Sequence, residues 1–120
     1  ASANQAFNIH NGDCYRWETL WPRLAAFFDM EAGPVQTVSL DRVMPAYEAV
    51  WDAAVAKYDL EPHAYEDMAH WAFGDLIFGI SWDDISSIVK LRQHGFTEAL
   101  DTEQMFLDIL MDFRRRRIIP

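Results

Sequence analysis

Three groups of residues in this 120-residue chain have types and spacings that could do chemistry. The first is His10-Asn11-Gly12-Asp13-Cys14, in which Cys14 would be a thiol nucleophile just before a helix and His10 its base. The spacing does not bring ring and sulfur within hydrogen-bond reach, because the two residues flank a turn. Cysteine is also a common small apolar filler, and Asp13 suits a turn or a cap. The second group is His63, Glu66, Asp67 and His70, at i, i+3, i+4 and i+7, which a single helix would gather on one face as divalent-metal ligands. The pattern is not H-E-x-x-H, and acidic helices often carry such residues on their solvated side, so no metal is expected. The third is the run Arg114 to Arg117. It closes a helical pattern, where cations complement the macrodipole. The formal net charge of −9 repels phosphate backbones and anionic lipid, so neither nucleic acid nor membrane is an expected partner.

Two absences narrow the chemistry further. The glycines at 12, 33, 74, 79 and 95 form neither G-x-G-x-x-G nor a P-loop, so the chain encodes no phosphate cradle. Tyr15, Tyr47, Tyr58 and Tyr65 are followed four residues on by Thr19, Trp51, Pro62 and Ala69, never by lysine. The tyrosine-lysine pair of short-chain dehydrogenases is therefore missing.

The elements that would position these residues follow from periodicity. Ala6 to His10 reads as a short strand leaving through the Asn11-Gly12-Asp13 turn. Trp17, Leu20, Trp21, Leu24, Phe27 and Phe28 recur at helical spacing. Pro22 fits such a helix only in its first turn, so a start or kink is expected near Thr19 to Trp21. Val35 to Leu40 reads as a second short strand after Gly33-Pro34. Pro45 opens a helix with an apolar face of Tyr47, Val50, Trp51, Ala54, Val55 and Tyr58. Pro62 opens another, running towards Gly74. Ser87 and Gly95 bracket a short helix, Ile88 to His94, and Asp101 with Gln104 caps the last one, whose core face is Met105, Phe106, Ile109, Leu110 and Phe113. The fold class expected is mainly α with two short strands (α+β).

A chain of this length makes one domain, residues 1–120, with one modest core. Half of its residues are hydrophobic, with five Trp, eight Phe and four Tyr, which excludes general disorder. No apolar run approaches the ~20 residues of a membrane span. The N-terminus lacks the pattern of a signal peptide, and a single cysteine agrees with a reducing compartment, so the expected location is cytoplasmic. The chain begins with Ala1 rather than Met, as a piece of something longer would.

Several segments together resemble one family. FNIHNGDCYRWETLW, VWDAAVAKYDL, HWAFGDLIFG, KLRQHGF, DTEQMF and the closing RIIP stand in the order found at the C-terminal end of atypical extended short-chain dehydrogenase/reductases. The group is that of plant progesterone 5β-reductase and iridoid synthase, with bacterial proteins of the NAD-dependent epimerase/dehydratase type. The similarity spans nearly all of the chain, and its most specific parts are N-G-D-x-x-x-W-x-x-x-W, W-x-F-G-D and I-I-P. It implies a parent with an N-terminal Rossmann domain that binds NADP(H) or NAD(H), this chain being the substrate-binding lobe without that domain. Members of the named type reduce the carbon-carbon double bond of an enone, using a tyrosine and a lysine that lie upstream.

By resemblance, Phe73 walls the substrate pocket, with Trp71 and Phe78 near it. Ala72 stands where plant relatives have a second aromatic, which implies a differently shaped pocket. The expected ligand is a small hydrophobic carbonyl compound. No cofactor is expected on this chain alone, and it is expected to be catalytically incomplete. A Rossmann-facing surface left bare predicts self-association. The rival reading is a free-standing small helical module that binds a hydrophobic ligand or a partner protein; the parent could also be an epimerase or dehydratase on the same fold.

Overall fold

The computed structural model describes residues 3–120, and their regular structure is helical. Seven α-helices occur in order: α1 (Trp17–Phe27), α2 (Leu40–Val43), α3 (Glu48–Tyr58), α4 (Tyr65–Met68), α5 (Trp71–Phe78), α6 (Val89–Gln93) and α7 (Thr102–Arg115), with a 3₁₀ turn, Met44–Tyr47, between α2 and α3. They fall into two compact units: Ala1–Ala32 with Asp83–Ile109, and Gly33–Trp82 with Leu110–Pro120.

In the first unit Leu20 is fully buried and Ile88 nearly so. An edge-to-face aromatic cluster joins α1 to α7. Tyr15 meets Trp17 at 5.5 Å and Phe106 at 6.1 Å between ring centroids, and Trp17 stands 6.2 Å from Phe106. Beside it Glu103 accepts hydrogen bonds from the Thr19 hydroxyl at 2.8 Å and the Arg23 guanidinium at 2.5 Å. Of the expected caps Asp101 and Gly95 are present, whereas Ser87 is not the N-cap of α6, a place taken by Ile88 without a side-chain cap bond. Asp101 Oδ1 accepts the Gln104 amide at 2.8 Å to start α7, and Gly95 follows α6 with φ 94°.

In the second unit Leu60 is the buried residue. Asp59 ends α3 in the left-handed region at φ 52°, and the Leu60 amide returns to the Val55 carbonyl. Arg117, also left-handed at φ 57°, clamps this turn. Its guanidinium donates to Asp59 at 2.7 Å and to Glu61, while its carbonyl accepts the Glu61 amide at 2.8 Å. The basic run thus does more than complement a helix end: Arg117 lies past α7 and ties the Asp59 to Glu61 turn to it.

Four expectations change. No strand forms among the described residues: Ala6 to His10 and Val35 to Ser39 are irregular, because a strand exists only by pairing and neither segment finds a backbone ladder there. The Asn8 amide and the Lys90 ammonium hold the first segment instead, through the Ser87 and Ala6 carbonyls. Pro22 lies at the sixth residue of α1, past its first turn, where the missing N–H leaves the Glu18 carbonyl without its helical donor. Pro45 sits in the 3₁₀ turn, and α3 begins only at Glu48. Finally, the helix expected after Pro62 is two helices, α4 and α5, broken by Ala69 in extended backbone (φ −159°, ψ 147°).

Apolar burial is sparse in both units. The chain exposes 9594 Å². A single-core monomer of 13.9 kDa would expose roughly 6,700 Å², and two units of half that mass, wholly apart, roughly 8,000 Å². The excess lies in side chains such as Val35, Leu76, Trp82 and Ile85, all more than 60% exposed. Each unit presents large apolar surface that its own residues do not cover.

Candidate functional site

The Asn11-Gly12-Asp13 turn is the N-terminal anchor of α7. Asp13 accepts two hydrogen bonds from Thr102, one from its amide and one from its hydroxyl, both 2.7 Å. The Asn11 amide donates to Thr102 Oγ1 at 2.9 Å, and the Asn11 carbonyl accepts the Leu100 amide at 2.8 Å. Gly12 has φ 98°, and a Cβ there would meet Ala99 and Arg92 at 3.3 Å, so glycine is required for both backbone and space. The Thr102 hydroxyl bond, followed by its amide bond, holds the Asp13 carboxyl below the usual carboxylate range.

His10 is equally committed. Its Nδ1 accepts the Gly12 amide at 3.0 Å and its Nε2 faces the Ser86 carbonyl at 3.2 Å, which together select the Nε2–H tautomer. The nitrogen that would serve as base is occupied, and Cys14 is exposed without a partner among the described residues. Thiol chemistry has no geometric support here.

The second unit holds the residues that the family resemblance singles out. Trp71, Phe73 and Phe78 all lie on α5. Trp71 and Phe78, seven apart, share one helical face, and Phe73 projects from the opposite side. Trp71 is half-buried, its ring 5.7 Å from Tyr65, whose hydroxyl donates to the Met44 carbonyl at 2.8 Å. Phe73 and Phe78 are 58% and 51% exposed. Around the start of α5 is a shallow, open depression of about 420 Å³, lined by Asp41, Glu66, Asp67, Ala69, His70, Trp71 and Ala72. Of the three aromatics only Trp71 borders it. A wall of apolar rings with an acidic, open mouth does not enclose a small ligand by itself.

What fixes α5 was not evident from periodicity. Asp75 accepts the amides of Leu40 at 2.6 Å and Asp41 at 3.1 Å, and the Ser39 hydroxyl at 3.1 Å, so it caps α2 from α5. These bonds, the Leu40 amide first, hold its carboxyl below the usual range. Gly74 eases the approach, since a Cβ on it would stand 2.9 Å from Leu40 Cδ1, the end of a flexible side chain. The signal was present in the sequence as a second Gly-Asp pair.

The His63, Glu66, Asp67, His70 face does not form. The break at Ala69 places His70 at the N-cap of α5, off the four-residue α4, and no group of three or more His, Cys, Asp or Glu among the described residues is arranged to hold a metal ion. The helix starts show no phosphate cradle of the usual kind among the described residues. Phosphate binding needs free amides at a helix start after a tight glycine turn. Here α2 and α7 begin against the carboxylates of Asp75 and Asp13, and no glycine opens a helix. No helix of the described residues is long and apolar enough to cross a membrane.

Comparison with known proteins accounts for this combination of a bare apolar surface and missing chemistry. No protein-family model matches the chain. It is 35% identical over 120 residues to (S)-8-oxocitronellyl enol synthase of Antirrhinum majus, covering 98% of this chain and 31% of that protein. Short chain dehydrogenase gsfE of Penicillium aethiopicum is 32% identical over 133 residues, with 98% and 35% covered. The (S)-8-oxocitronellyl enol synthase ISY2 of Nepeta racemosa is 34% identical over 122 residues, with 98% and 30% covered. The chain thus spans about a third of the length of the curated relatives it matches. With almost every residue aligned to such proteins, it belongs to the iridoid synthase-like short-chain dehydrogenase/reductases, as the counterpart of their C-terminal portion.

Proposed function

We propose that residues 1–120 are the substrate-binding lobe of an NADP(H)- or NAD(H)-dependent reductase that acts on a small hydrophobic enone. The observation that carries this reading is the match, along nearly the whole chain, to short-chain dehydrogenase-type proteins three times its length. The oxidoreductase relationship is the family's; the enone and the nicotinamide cofactor are our reading. The lobe supplies no hydride and no acid. Its part is to present apolar surface, with Phe73 on α5 as pocket wall, Trp71 and Phe78 near it on the same helix, and the nucleotide-binding part of the reductase as the other wall. A cytoplasmic setting belongs to this reading, and the single cysteine, which agrees with a reducing compartment, supports it.

The uncovered surface supports the reading, because it is what a lobe exposes when its larger partner is absent. The same surface should drive the isolated chain to self-associate, and a monodisperse monomer at high concentration in sedimentation velocity would contradict that. The decisive experiment is Phe73→Ala in the intact reductase. A change of roughly tenfold in the ratio of kcat/KM between two enones, with Tm held, is expected for loss of a pocket-wall aromatic. A fall in Tm with substrate preference unchanged would return Phe73 to ordinary packing. NADPH binding by the 120-residue chain alone would overturn the division of labour.

A further inference from the structure

His70 occupies an unusual place for a histidine, the N-cap of α5, where its Nδ1 accepts the Phe73 amide at 3.2 Å. That bond requires a lone pair on Nδ1 and exists only for the neutral ring. Protonation sets an N–H against an N–H and places a positive charge at the positive end of the helix. His70 is also one of the residues around the open depression lined by Asp41 from α2 and by Glu66 and Asp67 from α4. None of these three carboxylates is in an ion pair among the described residues. The neutral and the charged ring are therefore drawn to different partners.

We infer that His70 is a pH-dependent helix cap: neutral, it holds the first turn of α5 through the Phe73 amide, and protonated, it leaves the helix for the carboxylates of Asp41, Glu66 and Asp67. The ring is exposed and makes no second hydrogen bond among the described residues, so nothing else there holds it in place. The other charged or titratable groups of the adjoining elements do not compete. Asp75 on α5 is committed to residues 39–41, the Tyr65 hydroxyl on α4 to the Met44 carbonyl, and Arg42 on α2 and His63 before α4 do not line the depression. His10 supplies the internal contrast. It accepts an amide at Nδ1 in the same way, but the Ser86 carbonyl holds its other nitrogen and leaves it one orientation.

The sign follows from the cap. Uncapping occurs as the pH falls and the ring takes up its second proton. The turn it loosens carries Trp71 and Phe73, so any effect on substrate rests on the function proposed above. The cap itself does not, and it is read directly.

The experiment is nitrogen NMR of the 120-residue chain from pH 8.5 to pH 5, with exchange of the Phe73 amide corrected for its intrinsic pH dependence. At high pH His70 Nδ1 should be unprotonated. As the ring titrates, Phe73 protection should fall about fivefold with the same midpoint, the size expected for loss of one N-cap. His70→Asn, which caps at every pH, should abolish the response. Glu66→Gln with Asp67→Asn should move the midpoint to lower pH, because removing negative charge disfavours the imidazolium. A pH response that survives in His70→Asn overturns the inference. So does a Phe73 amide indifferent to the ring's titration, or one exchanging at the unstructured rate throughout. A midpoint unmoved in the double variant removes the carboxylates as the alternative partner.

Discussion

Gly12-Asp13 in the first unit and Gly74-Asp75 in the second are the same dipeptide, and in both the aspartate caps a helix that is remote in sequence. The glycines differ. Gly12 needs a backbone that side chains rarely adopt, φ 98°, with neighbours already at 3.3 Å. Gly74 is an ordinary helical residue, and the atom its Cβ would meet is the mobile end of Leu40. The helices differ as well: Asp13 anchors the 14-residue α7, Asp75 the four-residue α2. A repeated sequence pair thus has one geometric purpose and unequal energetic weight, set by what each aspartate holds.

Substitutions can break this comparison. The largest effect expected is from Asp13→Ala, which strips two hydrogen bonds from Thr102 and should lower Tm by about 5–10 °C in thermal circular dichroism. Asp75→Ala should lower it less, with the loss confined to exchange of the Leu40 and Asp41 amides. Equal falls would show that the length of the capped helix does not matter.

The glycines come next. Gly12→Ala should cost about 1–3 kcal/mol in urea unfolding, from strain at positive φ. Gly74→Ala should lie within about 0.5 kcal/mol of zero, since a shift of the Leu40 side chain is offset by the better helix propensity of alanine. A reversed order would mean that close packing, not backbone conformation, fixes these motifs.

The smallest effect expected is on the acid limb. Both carboxyls are held below their unfolded value of 3.8 by hydrogen bonds to the charged form. Their contribution is therefore present above about pH 4 and is lost as the pH falls through the lower folded values. Asp13→Asn and Asp75→Asn should each flatten the fall in stability below pH 4 and leave its slope at neutral pH unchanged.

These contrasts show where the sequence could be read. The Asp101 cap, Gly95 after α6 and the apolar periodicity of α7 were legible because each depends on residues within one or two turns. Pro22 misled, since a proline's cost is local but its tolerance is decided by the whole helix. The break at Ala69 also escaped, because His70 competes for the start of α5 with a side chain that helix periodicity does not count. Of the candidate site, Trp71 borders the depression as a residue singled out in advance, while Glu66, Asp67 and His70 were read as the solvated side of one helix that in fact breaks at Ala69.

By itself the sequence determined the helical character, the caps at Asp101 and Gly95 and, through ordered motifs, the family. Those rest on local backbone preference and on residue order. Only the tertiary structure decided that Asp13 and Asp75 cap helices 89 and 35 residues away, that His10 is held at both ring nitrogens and that His70 caps α5 through one. The reason is physical: a hydrogen bond between residues far apart in the chain leaves no period in the sequence, and the state of a histidine depends on which partner stands at each ring nitrogen.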